Sequence, residues 1–191
     1  MAKSKNVDIV KITTTAPLRL DIGCGKNPRE GFTGVDAIDF GQKYVLNVAE
    51  KVKDKFKRWP WRDGSVEEVH CSHFVEHLKP DERIHFVNEL YRILVQNGKA
   101  SIIVPHYASE RAYGDLTHQW PPVVGFWFSY LDKSWRQTQA PHNTEYTCDF
   151  HATWGFNLHP SIVSRNQEYQ MHALTFYREA AQDMIATLTK C

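Results

Sequence analysis

Residues 18–25 read Leu18-Arg19-Leu20-Asp21-Ile22-Gly23-Cys24-Gly25, a short apolar run closed by two glycines around one small residue. This pattern predicts a buried strand giving way to a tight loop, because glycine lets the backbone turn sharply and lets its amides approach a ligand closely. A glycine turn placed directly after a strand suits a bound nucleotide. Eleven residues beyond Gly25 stands Asp36, closing the run Thr33-Gly34-Val35-Asp36. A carboxylate there is placed to accept hydrogen bonds from both ribose hydroxyls of an adenosine. In dinucleotide-binding folds the equivalent acid lies about 20 residues past the glycines. The shorter interval leaves no room for a full helix, so the first crossover is predicted to be abbreviated.

Outward from this turn, a second strand is predicted over 33–38 between Gly31 and Gly41, and a short third over 45–48. Another strand, 66–71, follows the turn signal Asp63-Gly64. Pro80 and Asp81 then open a helix with Ile84, Val87, Leu90, Tyr91 and Leu94 along one face and Asn97-Gly98 as its stop, and 100–104 is the next buried strand. Strands alternating with helical pattern predict an α/β fold, a doubly wound and mostly parallel sheet that binds ligands at the carboxyl ends of its strands. The second half differs. Residues 107–160 are rich in aromatics and histidines with little periodicity, although 146–156 has room for a strand. Past Pro160 there is no glycine or proline, and 161–191 is predicted as a terminal helix, clearest over 167–188, in place of further strands.

The length of 191 residues suits one domain, expected over 17–191 with a flexible tail at 1–16. With 42% hydrophobic and 24% charged residues the composition is that of an ordinary globular protein, and no apolar run approaches the roughly 18 residues of a membrane span. The first sixteen residues carry no apolar secretory core. Net charge is +1, from 23 Lys and Arg against 22 Asp and Glu, so no global field gathers nucleic acid. Cys24, Cys71, Cys148 and Cys191 are widely spaced, which argues against a zinc ribbon or a disulfide framework and fits a reducing cytoplasm.

Together, Leu18 to Gly25, then Gly34-Val35-Asp36, resemble the first two motifs of class I S-adenosylmethionine-dependent methyltransferases. The likeness continues through the Trp59-Pro60-Trp61 loop, the Asp63-Gly64 turn and the strand leading to Glu76-His77, and then through Tyr91-Arg92-Ile93-Leu94 to Pro105. It covers about residues 18 to 106 in the right order. The resemblance implies a Rossmann-like sheet and an enzyme with S-adenosylmethionine as cofactor, S-adenosylhomocysteine as product and a small molecule as methyl acceptor. It implies that Asp21, Gly23, Cys24 and Gly25 accommodate the methionine half, that Asp36 holds the ribose, that Cys71, Ser72 and His73 line the cofactor, and that Asn47 lies where relatives place an acid. Asn27 replaces a customary third glycine.

The substrate side is expected over 105–120, after the fifth strand, where Asp115-Leu116-Thr117-His118 resembles an Asp-x-Thr-His stretch of relatives. A histidine accepts a proton near neutral pH, so His118 or His106 is the candidate general base, with Asp115 fixing its tautomer. The same four residues also have the makings of a local capped turn. Methyl transfer requires no metal, and none is assigned. Two rival functions are open. His73-Phe74-Val75-Glu76-His77 matches His-x-x-Glu-His, a zinc-hydrolase spacing that on a helix brings two imidazoles to one face. A catalytically inactive cofactor-binding partner protein would carry the same cofactor residues.

Overall fold

The computed structural model describes residues 18–191; the tail expected over 1–16 lies outside the described residues. The Leu18–Ile22 run forms strand β1, with Leu20 and Ile22 buried in the core. It pairs in parallel with β2 (Thr33–Asp36) on one side and with β4 (Val66–Ser72) on the other. The short β3 (Tyr44–Val45) extends the sheet beyond β2, and β5 (Leu94–Pro105) extends it beyond β4, both in parallel. Residues 23–32 contain turns and no helix, as the spacing to Asp36 predicts. The loop from β3 to β4 is also without a helix. It carries a small ribbon (Lys51–Val52 with Lys55–Phe56) and then buries Trp59 and Trp61, which pack edge-on against each other. Trp59 also meets Phe86, so indoles occupy core space that a crossover helix commonly fills.

The crossover from β4 to β5 is helical. After a 3-10 turn at Val75–His77, α1 (Pro80–Ile93) begins with proline at its first position and Glu82 bonded back to the Lys79 amide at 2.8 Å. Its Phe86, Val87, Leu90 and Ile93 are buried. The helix ends at Ile93, and β5 starts at Leu94, earlier than the Asn97-Gly98 signal suggests. Asn97 instead takes a left-handed conformation (φ 62°) inside the strand.

The C-terminal third overturns the expected terminal helix. Beyond β5 come α2 (Arg111–Gly114), a 3-10 segment (Gly125–Leu131) and α3 (Lys133–Gln139), followed by β6 (Phe150–Leu158), α4 (Pro160–Val163) and α5 (Gln167–Phe176). The helix over 167–188 stops at Phe176, and Ala181–Lys190 is strand β7. It inserts antiparallel between β5 and β6, giving the order β3-β2-β1-β4-β5-β7-β6. The physical reason is backbone pairing on both flanks, which outweighs the helix propensity of Ala, Gln, Met and Leu. The fold is thus a mostly parallel Rossmann-like α/β sheet with one reversed strand. No helix among the described residues is long and apolar enough to cross a membrane.

Candidate active site

Because β1, β2, β4 and β5 run in parallel, Ile22, Asp36, Ser72 and Pro105 end at one edge of the sheet. The reversed β7 brings Asp183 to the same edge, opposite Pro105. At this edge the chain leaves β1 through Gly23, whose amide donates to the Val35 carbonyl at 2.8 Å, with the Cys24 amide reaching the same oxygen at 3.3 Å. Gly23 has φ 74°, and a Cβ there would lie 2.6 Å from the Phe74 ring, so backbone strain and crowding both demand glycine. Gly25, also left-handed, donates its amide to Asp36 Oδ2 at 2.9 Å. Asp36 Oδ1 accepts from the Ile38 amide at 2.9 Å. The half-buried Asp36 carboxylate therefore latches the glycine turn, while a carboxylate's remaining lone pairs stay available to other donors.

The buried Asp21 closes the turn from below, accepting the Arg29 amide at 2.7 Å. Cys24 packs its sulfur where a side chain on Gly34 would sit, and burial, then the charges of Asp21 and Asp36, raise its thiol pKa. Cys71 is fully buried, which pushes its thiol well above the ordinary value and keeps it protonated and inert. Asn47 lies on an exposed turn beyond β3, its side-chain oxygen accepting the Ala49 amide. Ser72 ends β4, half-buried, and His73 follows in a left-handed conformation (φ 52°) with its amide bonded to Ile103.

His73 Nδ1 lies 3.3 Å from Glu76 Oε1, and Nε2 lies 3.7 Å from Asp183 Oδ1. The Glu76 carboxylate, opposed by partial burial, holds the imidazole pKa above its usual value. The approach is an ion contact without hydrogen-bond alignment: both Glu76 oxygens are buried and neither has a hydrogen-bond donor. His77 turns the other way, its ring edge-on to His118 at 4.8 Å. The two histidines of the His-x-x-Glu-His spacing therefore do not share a helical face. The left-handed kink at His73 and the 3-10 turn after it separate them, which removes the geometric basis of the zinc-hydrolase reading.

Beside Glu76 a cavity of about 200 Å³ opens, lined among others by Pro105, Tyr113, His118, Trp120 and Val123. The expected substrate segment supplies most of its wall. His118 contributes directly, with Nδ1 3.1 Å from the Ala112 carbonyl. His106 does not line it. That ring is buried between Tyr107 and Phe156, and burial lowers its pKa. Asp115 also departs from its expected part. Its carboxylate accepts the Thr117 amide at 2.8 Å and the Thr117 hydroxyl at 2.7 Å, and Thr117 Oγ1 in turn meets His77 Nδ1 at 2.9 Å. An acid two residues before an amide closes a local turn, so Asp115 orients His77 through Thr117, and a backbone carbonyl orients His118.

Arg83 and Asp183 are residues of the candidate site that the pattern did not single out. Buried Arg83 on α1 donates to the carbonyls of Val75, Glu76, Gln119 and Pro121, stapling the cavity wall to the 3-10 turn. Arg111 Nη1 lies 3.1 Å from Asp183 Oδ1. A charged residue interrupting the apolar face of a helix was the visible sign of Arg83; nothing local marked Asp183.

Residues 20–102 match the family model described as a methyltransferase domain. No curated protein matches. Among solved structures, the chain is similar to an S-adenosylmethionine-dependent methyltransferase from Archaeoglobus fulgidus, at 20% identity and a TM-score of 0.63, over 92% of this chain and 87% of that one. It is also similar to the 1,6-didemethyltoxoflavin-N1-methyltransferase of Burkholderia thailandensis (12% identity, TM-score 0.51, 91% and 71% of the two chains). A third likeness is to the geranyl diphosphate C-methyltransferase of Streptomyces coelicolor (15% identity, TM-score 0.50, 92% and 70%).

Proposed function

We propose that the chain is a class I S-adenosylmethionine-dependent methyltransferase, supported by the methyltransferase-domain match and the shared fold, and that it moves a methyl group to a small molecule held in the cavity between Glu76 and Val123. The observation that carries this reading is the shared sheet edge: a glycine turn latched to Asp36 on one side and a histidine-lined cavity beyond β5 on the other. S-adenosylmethionine supplies a methyl group already activated on a sulfonium. The chain's task is to hold and orient, with a base needed only for an acceptor that arrives protonated.

The residues present fit that cofactor. The left-handed Gly25 leaves its side of the turn open, with nothing within 4 Å of a Cβ position there. Asp36 is the ribose acceptor in this reading. Asp21, Cys24 and the Cys71, Ser72 and His73 run bound the methionine side, and Asn47 stands beyond β3 on the nucleoside side. His118 is the favoured activating group, because it lines the cavity and the Ala112 carbonyl facing its Nδ1 can only accept a hydrogen bond. Nδ1 therefore carries the proton and Nε2 the lone pair. His106 is the lesser candidate, and Asp115 acts by shaping the turn. One domain over 17–191 and a cytoplasmic setting complete the reading.

The test follows transfer of a labelled methyl group from S-adenosylmethionine into the small-molecule fraction of a cell extract. His118→Ala should retain S-adenosylhomocysteine binding by calorimetry and lose transfer by roughly 100-fold or more. His106→Ala should lose much less. Cofactor binding with no transfer to any fraction would favour an inactive partner protein, and full activity of His118→Ala would leave positioning alone.

A further inference from the structure

We propose that Glu76 and His118 of the acceptor-cavity wall, with His77 behind them, form a site for one divalent transition-metal ion. One ligand atom from each lies within 4.8 Å of the others. The two histidines are prepared in the same way. Ala112 O fixes the proton of His118 on Nδ1. The Thr117 hydroxyl, by donating to Asp115, is left to accept from His77 Nδ1. In the tautomer these bonds select, the Nε2 of each imidazole is the nitrogen left for a metal, and each ring is held from behind by an oxygen, the arrangement that orients metal-ligating histidines. Two imidazoles and a carboxylate suit zinc and its first-row neighbours.

The second, independent observation is the state of Glu76. Its side chain is about 6% exposed, it borders the cavity, and neither carboxylate oxygen receives a hydrogen bond. Burying a carboxylate without donors is costly. His73 approaches only as an unaligned ion contact, and the Arg83 N–H groups go to four carbonyls. A metal ion at this point would add to the His73 contact the direct bond that neither carboxylate oxygen has. The ligand atoms stand wider than the about 3.3 Å between neighbours in a tetrahedral zinc shell, so binding draws the side chains together.

This inference rests on the methyl-transfer reading for its purpose. A cation here would polarise an acceptor hydroxyl, which would lose its proton to solvent as its oxygen bonds to the methyl carbon and the carbon–sulfur bond breaks to release S-adenosylhomocysteine, and His118 would then act as a ligand and not as a base. The implied acceptor class is a compound with an ionisable hydroxyl.

The experiment uses the full chain after chelator treatment, titrated with Zn2+ alone by calorimetry and with Co2+ by ligand-field absorption; S-adenosylhomocysteine is titrated separately. Saturable one-to-one binding is expected. His118→Ala and Glu76→Gln should each weaken it roughly 100-fold or more, and Thr117→Val about 10- to 100-fold. S-adenosylhomocysteine affinity should be unchanged in all. His118→Ala and Thr117→Val change partly or fully exposed side chains, so the result does not hang on whether Glu76→Gln folds. Absence of one-to-one binding, or variants that bind as the parent does, would overturn the site. Loss of S-adenosylhomocysteine binding by the parent chain would instead overturn the methyl-transfer reading.

Discussion

The two halves of the sheet are built by different rules. From β1 to β5 every strand is parallel and its ends gather at one edge, so glycines and acids that follow strands in sequence are brought together by topology alone. Beyond Pro105 the sheet is completed by two antiparallel pairings, and the loops between them supply the cavity wall. In the first half the candidate site residues are local to a motif. In the second they come from convergence of segments distant in sequence, such as the 3-10 turn before α1 and the 115–118 turn.

The largest expected effect probes the half whose pattern misled. In β7, Met184, Ala186 and Leu188 are buried while Ile185 is 42% exposed, an alternation proper to a strand. Leu188→Ala should cost about 2 to 5 kcal/mol. Ile185→Ala should cost less than about 1 kcal/mol. Urea unfolding of the two variants measures both. Equal, large losses would restore a helical face, because residues three apart on a helix are neighbours.

The terminal strand was hidden in sequence for a physical reason. A helix running through 167–188 needed a break, and glycine or proline was the expected sign of one. Glu179 makes that break instead, with φ 60°. Its carboxylate accepts from Ser109 Oγ at 3.1 Å and from the Glu110 amide at 2.5 Å, so tertiary contacts hold a conformation that its residue type disfavours. The glycine turn, by contrast, was legible because Gly23, Gly25 and Asp36 fulfil local needs of φ and hydrogen bonding. Asp115 was legible only as chemistry. Its acid was recognised, but the local turn that claims it was the competing use of the same residues. The histidine pair of Glu76-His77 and His118 lay in plain view, yet spacing along the chain suggested His73 as the partner. Only the left-handed turn at His73 redirects the choice.

A smaller effect sharpens the first half. Asp36→Ala should weaken S-adenosylhomocysteine binding by about one to two decades, or roughly 1.5 to 3 kcal/mol, as measured by calorimetry. Part of that loss comes from freeing the Gly25 and Ile38 amides. Asp36→Asn, which keeps one acceptor oxygen, should fall between the two. Unchanged affinity in folded Asp36→Ala would remove the ribose from this carboxylate and break the motif-to-function rule for the N-terminal half.

The smallest effect lies at the junction of the halves, at His106, the first residue after β5. Its folded pKa is lowered by desolvation, against a weaker opposing pull from Glu179. The unfolded chain, with an ordinary imidazole near about 6.5, binds the proton more readily. The neutral ring's contribution to stability is therefore present above that value and is lost as pH falls through it toward the lower folded pKa. His70 and His85 are lowered by burial in the same direction and share the parent chain's decline between pH 7 and 5, while His73, raised by Glu76, works against it. His106→Gln cannot take up a proton and should show a shallower fall in Tm over that range. An identical slope would mean that the ring is already solvated in the folded chain. That would reopen His106 as a base on the acceptor side and move the boundary between scaffold and site one residue past Pro105.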